Sequence, residues 1–259
     1  MNRALLLHMR QRVLASLATL ALLLALASPT PAAESCPQPF RVTYAVEWRG
    51  FGAGTSVLQL EKRSENEFVY TSSNRARGVF RLALPDTITQ TSHFAIEDGT
   101  VVPSRYVGDD GSSDTSRDVS LTFDWEAGRV TGTAENKRVD QPVKRGVQDS
   151  LSVQIALMCA LAEGRTPSGF QLIDKDEVKE YTYTREREET LDTPLGKLET
   201  VVFLSQKAGS SRATRMWIAP ALGYVPARAE QTRRGKREFL LQIRSFERPG
   251  EAGTAMAQR

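Results

Sequence analysis

From residue 40 onward the chain alternates apolar and polar positions with a period of two. In Phe40–Trp48 the residues Val42, Tyr44, Val46 and Trp48 share one parity; Leu58 and Leu60 do so in the next segment, and Phe68 and Tyr70 in the one after. Successive side chains of a strand point to opposite faces, so each segment reads as a half-buried antiparallel strand. The habit continues through residues 79–84, 91–98, 100–108, 117–125 and 128–134. It returns in 170–174, 177–188, 189–193, 197–206, 212–220, 224–232 and 236–247.

Turn chemistry separates these runs. Gly50, Gly52 and Gly54 suit a wide turn or a bulge, and no helix follows them as a nucleotide-binding loop would require. Asp98-Gly99 and Ala127-Gly128 mark connections between paired strands, and Thr193-Pro194-Leu195-Gly196 reads as a tight turn with proline at a fixed-φ position. The polar stretch 109–116 (DDGSSDTS) reads as a solvated hairpin tip; its aspartates lack the twelve-residue spacing and terminal Glu of a calcium loop.

The period changes only at 147–164, where Leu151, Ile155, Met158 and Ala162 fall at helical spacing and Val153, Leu157 and Leu161 widen the apolar face. This predicts a helix of about 14 residues, capped by Asp149 or Ser150 and ended by Gly164. A helix so apolar around its girth must dock on the sheet. The predicted fold is therefore mainly β: about a dozen strands in a large curved antiparallel sheet or incomplete β-barrel, with one helix packed in or across it.

The N-terminus follows another pattern. Residues 1–12 are basic, 13–27 are unbroken apolar and small residues, and Pro29 and Pro31 follow. The apolar run would span roughly 22 Å as a helix, short for a hydrocarbon core of roughly 30 Å, and 1–33 is expected to be a cleaved secretory signal peptide. Cleavage is expected after Ala32 or Ala33 rather than after Ala27. Cys36 raises the possibility of lipid attachment, but Glu34 fits that signal poorly, and a soluble periplasmic chain is expected. Residues 34–248 would form one domain, and 249–259 a disordered tail.

The leader also changes the charge. Its three arginines are matched by no acid, and the other 31 basic residues balance 31 acidic ones, so the net +3 gives no support for nucleic-acid binding. Two cysteines, Cys36 and Cys159, could pair in an oxidising compartment or remain free thiols with Cys159 filling a helix face.

Catalytic chemistry finds few carriers. His93 is the only histidine outside the leader; it lies in a strand pattern with no nucleophile-elbow serine near it, and is expected to be a hydrogen-bonded strand residue. One histidine and two distant cysteines supply no zinc set, and no metal or cofactor is expected. Asp124 and Asp149 are formal general-acid candidates for a polysaccharide hydrolase, but a pre-turn residue and a helix cap explain them. The run Arg233-Arg234-Gly235-Lys236-Arg237 reads as a hairpin tip. The aromatics Tyr44, Trp48, Phe51, Phe68, Tyr70, Phe80, Phe123 and Trp217 are expected to build the core or to line a cavity.

A set of landmarks carries a resemblance: Tyr44, Trp48, Gly50 and Gly54; Asp98-Gly99 with Pro103 and Tyr106; Phe123-Asp124 with Gly128; Gln148-Asp149-Ser150-Leu151-Ser152; Thr193-Pro194-Leu195-Gly196; and Met216-Trp217-Ile218-Ala219 before Tyr224-Val225-Pro226. In order and spacing the chain over residues 40–248 resembles the bacterial exported family catalogued as domain of unknown function 3108. The resemblance implies a curved sheet with a helix in its concavity, similar in outline to carriers of lipidated proteins and other apolar ligands. The expected function is a non-enzymatic binding or chaperone-like role toward an apolar ligand or envelope component, with a lipid or lipidated envelope component as the candidate partner. The alternative is an assembly protein with a filled interior.

Overall fold

The computed structural model describes residues 36–82 and 86–249. The expected signal peptide, residues 1–33, and nearly all of the expected tail lie outside them.

Among the described residues, fourteen strands form one antiparallel sheet. The first eight are β1 (Phe40–Trp48), β2 (Phe51–Lys62), β3 (Glu67–Ala76), β4 (Ile88–Glu97), β5 (Thr100–Asp109), β6 (Val119–Asp124), β7 (Arg129–Ala134) and β8 (Lys137–Pro142). After helix α1 (Ser152–Ala162) come β9 (Gly169–Asp174), β10 (Glu177–Thr193), β11 (Gly196–Lys207), β12 (Arg212–Ala219), β13 (Val225–Arg233) and β14 (Lys236–Glu247). Each half is a meander, and the halves join where the first strand pairs with the last, so β8 and β9 are the free edges. The sheet does not close into a barrel. Its edges are tied at the hairpin tips by Lys175 to Glu135 at 2.8 Å and Lys137 to Asp176 at 3.1 Å. These pairs are exposed and contribute little stability, but they mark where the two edges approach.

Local chemistry explains the hairpins. Arg49-Gly50, Asp98-Gly99 and Arg234-Gly235 all have positive φ at both residues, the conformation whose twist matches that of the flanking strands. Gly132 in β7 is more constrained: it has φ +145°, and a Cβ there would sit 2.0 Å from the Ser120 carbonyl oxygen of β6. Gly132→Ala is expected to lower stability by about 2 to 3 kcal/mol, read from urea unfolding. An unchanged midpoint would mean that β6 and β7 can part at no cost.

Helix α1 lies between two walls of the curved sheet, which is why it is apolar all round. Leu151, Ile155, Met158 and Cys159 belong to the main core with β1–β8 residues such as Phe40, Tyr70 and Leu121. Val153, Leu157 and Leu161 face the other wall, against Leu172, Tyr183, Phe203 and Ile218. The helix ends as expected at Gly164, φ +74°, where Gly164 N–H donates to Leu161 O and Arg165 N–H to Ala160 O. Its C-terminal half is joined to the start of the domain by a Cys36–Cys159 disulfide with Cα atoms 5.2 Å apart.

Five expectations need correction. Residues 79–84 are not a strand: Gly78–Leu82 form a 3₁₀ turn beginning at φ +60°, and the residues that follow are not described. The strand β8 was not anticipated, because Lys137–Pro142 has one buried apolar residue, Val139, and otherwise reads as a polar loop. Residues 177–188 and 189–193 are one 17-residue strand, with a register shift between Arg185 and Arg187. The helix has 11 residues rather than about 14, because Gln148 forms a parallel bridge to Leu172 of β9, donating N–H to Gln171 O and accepting from Ile173 N–H. Phe51 also departs from the expected aromatic core, being 68% exposed beside the first turn.

Candidate functional site

Along β1 the inward positions pass from Phe40 and Val42, packed in the core, through Tyr44 to Val46 and Trp48, which line open space. The neighbouring strands repeat the gradient. On β2 it runs Leu60, Leu58, Ser56, Gly54; on β3 it runs Phe68, Tyr70, Ser72, Asn74, Ala76; the register sets Leu58 opposite Ser72, Ser56 opposite Asn74 and Gly54 opposite Ala76. Large apolar side chains fill the end of the trough occupied by α1. Small ones at the same parity leave the other end unfilled. At about 3.3 Å per residue, the unfilled reach from Tyr44 to Trp48 is roughly 13 Å.

The deeper chamber has a volume of about 490 Å³. Its floor is the first turn of α1 (Leu151, Val153, Gln154), and its walls are β2–β4 on one side and β10–β14 on the other. Its polar lining is neutral: hydroxyls and amides such as Ser56, Ser72, Gln90, Ser205, Thr214 and Gln231, with no carboxylate, lysine or arginine. Tyr44 donates its hydroxyl to Pro226 O at 2.8 Å, and burial pushes its phenol well above the ordinary value. Tyr181 is pushed up to about 12, by burial first and then by the nearby Asp174 carboxylate. Both phenols stay neutral at ordinary pH.

The outer chamber, about 480 Å³, shares Asn74, Phe239 and Leu241 with the deeper one, so the two adjoin along one trough. It is lined mostly by apolar groups, with Trp48 edge-on to Phe80 at 5.9 Å between ring centroids, and has Arg75 and Asp86 as its charges. Each volume falls within the range of pockets that hold small molecules, about 300 to 1,000 Å³.

Beneath the trough a polar knot anchors the helix. Asp149, fully buried, accepts Leu151 N–H and Ser152 N–H at 2.8 Å each and the Ser92 hydroxyl at 2.6 Å; its own N–H donates to Ser152 Oγ at 2.9 Å. Burial raises its carboxyl above the ordinary range, against the pull of these hydrogen bonds. Ser150, the other expected cap, instead donates its hydroxyl to Tyr106 Oη at 2.8 Å.

The other sequence candidates are not brought together. Asp124 is exposed at the end of β6, where it accepts Glu126 N–H and Ala127 N–H, while Asp149 is sealed under α1. His93 is exposed between buried Ser92 and Phe94, so its ring meets solvent rather than the expected protein partner. In the 109–118 connection the close carboxylates are Asp109, Asp110 and Asp118, not Asp114. Asp110 is already engaged by Ser112 and by Arg117 at 2.8 Å. The basic run 233–237 is the β13–β14 hairpin tip, as expected, and it lines a separate polar pocket with Arg49, Arg215, Glu230 and Glu238.

Reading the sequence anticipated an apolar cavity under one hypothesis and a filled interior under the other, but it placed no cavity. Its signal was present in the inward parity of β2 and β3, where Leu, Phe and Tyr give way to Ser, Asn, Gly and Ala. Only the register shows that these small residues coincide.

Comparison with known proteins agrees with this architecture. A family model described as a protein of unknown function, DUF3108, matches residues 40–239. A β-barrel-like protein of another domain of unknown function, DUF1849, from Brucella abortus has a similar structure, with a TM-score of 0.55 at 12% identity over 82% of this chain and 98% of that one. More distant matches are a Bacteroides fragilis protein described as exported with a YmcC-like fold (TM-score 0.36, 12% identity, 82% and 97% covered) and a Parabacteroides distasonis protein described as a lipoprotein (0.35, 6%, 82% and 96%). No curated protein matches the chain. Among the described residues, no helix is long and apolar enough to cross a membrane.

Proposed function

The chain belongs to the family of unknown function DUF3108, and we propose that it is a non-enzymatic, chaperone-like binding protein of the bacterial envelope that shelters an apolar ligand in its trough. The observation that carries this reading is the uncharged chamber above α1, which adjoins an apolar mouth through Asn74, Phe239 and Leu241. A chamber lined by hydroxyls, amides and aliphatic groups offers no site to hold an ion, but it can bury methylene groups, each worth about 0.8 kcal/mol. It also accommodates an ester, amide or hydroxyl along the chain. The ligand that fits is an acyl chain, free or attached to an envelope component. Residues 1–33 would deliver the protein to the periplasm as a cleaved leader.

Native mass spectrometry of the protein recovered from its own envelope tests this reading. Near-stoichiometric release of an acyl-bearing species on denaturation is expected. Ala229→Phe, which places a ring in the deeper chamber from β13, is expected to reduce the liganded fraction at least tenfold while leaving the melting temperature within a few degrees. An apo mass for the native protein, together with failure to take up a fluorescent fatty acid, would sink the sheltering role and favour the assembly-protein alternative.

A further inference from the structure

Three connections meet at the open end of the trough. They are the β1–β2 turn (Arg49–Gly52), the segment after β3 (Arg77–Leu82) and the β13–β14 tip (Arg233–Arg237), carried by strands adjacent in the sheet order β3-β2-β1-β14-β13. Together they hold seven basic residues and no acidic one, whereas the rest of residues 34–259 holds 24 basic against 31 acidic residues. The same connections carry the most exposed large apolar side chains of the described residues: Leu82 at 90%, Val79 at 74% and Phe51 at 68%.

The cations are not all committed. Glu238 lies within 3.5 Å of Arg49 and 4.0 Å of Arg233. Arg77, Arg81, Arg234 and Lys236 are exposed and have no carboxylate partner among the described residues. Glu47, Glu230 and Glu238 pair with Arg49, Arg233 and Arg237, Asp86 lines the mouth, and the carboxylates of the 109–118 connection lie beyond β4, where Gly111 packs against the Thr87 backbone. The unpaired positive charge, on Arg77, Arg81, Arg234 and Lys236, therefore lies on the β13–β3 side of the opening. Apolar residues at a lip would be a liability in free solution, and a cationic fringe around them has a specific complement: a layer with anionic headgroups above hydrocarbon.

We propose that this end is a membrane-docking face. Phe51, Val79 and Leu82 enter the headgroup and acyl boundary of an anionic phospholipid bilayer, and Arg77, Arg81, Arg234 and Lys236 engage its phosphates. The mouth between Trp48, Phe80 and Phe239 is thereby set against the lipid, and an acyl chain can pass into the trough without crossing water. The direction of transfer rests on the sheltering role above; the docking itself does not.

The test is vesicle sedimentation with the protein recovered from the full-length gene in the form the cell produces, its N-terminus identified by intact mass so that residues 13–27 cannot account for binding. Equimolar phosphatidylglycerol and phosphatidylcholine vesicles are compared with pure phosphatidylcholine. Partitioning at least tenfold stronger to the anionic vesicles, weakened by salt, is expected. Arg77→Glu/Arg81→Glu/Arg234→Glu should lose about fivefold or more per cation, and Phe51→Ser/Val79→Ser/Leu82→Ser should lose binding at every salt concentration. Equal binding to the two vesicle types, or by either triple variant and the parent, overturns the proposal. The parent protein separates the two ideas: vesicle binding without acyl uptake leaves docking standing and removes the sheltering role, whereas acyl uptake by a parent that ignores vesicles does the reverse. Ala229→Phe is expected to bind vesicles as the parent does while losing acyl uptake.

Discussion

Asp149→Ala is expected to cost about 4 kcal/mol or more, enough to unfold many domains of ordinary stability. The carboxylate accepts two backbone N–H groups at the entry to α1 and the Ser92 hydroxyl of β4, all buried. Truncation leaves the two N–H groups without an acceptor, at about 1 to 3 kcal/mol each, and opens a small void in a packed region. Ser92 can rotate and loses less. Equilibrium unfolding in urea reads the effect, and a loss below about 1 kcal/mol would mean that water reaches the site and replaces the carboxylate. Asp149→Asn keeps one acceptor and should be milder.

The same residue predicts the sign of a pH effect. Its carboxyl is raised above the ordinary value of 3.8, because burial outweighs its hydrogen bonds. The folded chain thus holds this proton to a higher pH than the unfolded chain does. The stability linked to the group is complete below about pH 4 and is lost as pH rises through the folded value. Relative to Asp149→Asn, the parent should gain stability on acidification from neutrality toward that pH. A relative loss over the same window would contradict the burial argument.

Removal of the disulfide is the other large effect. Cys36 and Cys159 are 123 residues apart in sequence, and closing a loop of that size restricts the unfolded chain by about 5 kcal/mol on a chain-entropy basis, of which about 3 to 4 is commonly realised. Cys36→Ala/Cys159→Ala should therefore melt about 10 °C lower. Reductant should bring the parent to nearly the same temperature while leaving the variant unmoved. A parent indifferent to reductant would show that the two thiols contribute only by packing. Asp149 and Cys159 act at opposite ends of α1, so their losses are expected to be additive, each freeing a different end of the plug.

What the sequence made legible follows from which interactions are local. Strands with large residues at one parity, such as Phe40–Trp48, were plain, as were hairpins with Asp98-Gly99 and a helix whose end is set by Gly164. The strand β8 was not, because an edge strand buries one face and Lys137–Pro142 has one apolar residue to show for it. The start of α1 was misplaced because Gln148 satisfies its backbone groups on β9, a strand more than twenty residues away. The trough was illegible for the same reason: Ser56, Ser72 and Ala229 become one chamber only through registers set by distant strands. The basic tip 233–237 was visible as charge, but its union with Arg49 and with Arg77–Leu82 depends on β14 pairing with β1.

That pairing of first and last strands also governs how the molecule comes into being. While the chain is being produced from its N-terminus, β1 can meet β2 at once, but its other edge has no partner until β14 arrives some two hundred residues later. The centre of the sheet, rather than its rim, is completed last. Contacts so distant in sequence place the protein among slow folders, on a scale of milliseconds to seconds. Through that interval the apolar face of β1, with Val42 and Tyr44, stands at an open sheet edge. The nascent N-terminal meander is thus itself a candidate client for the holding factors of its compartment.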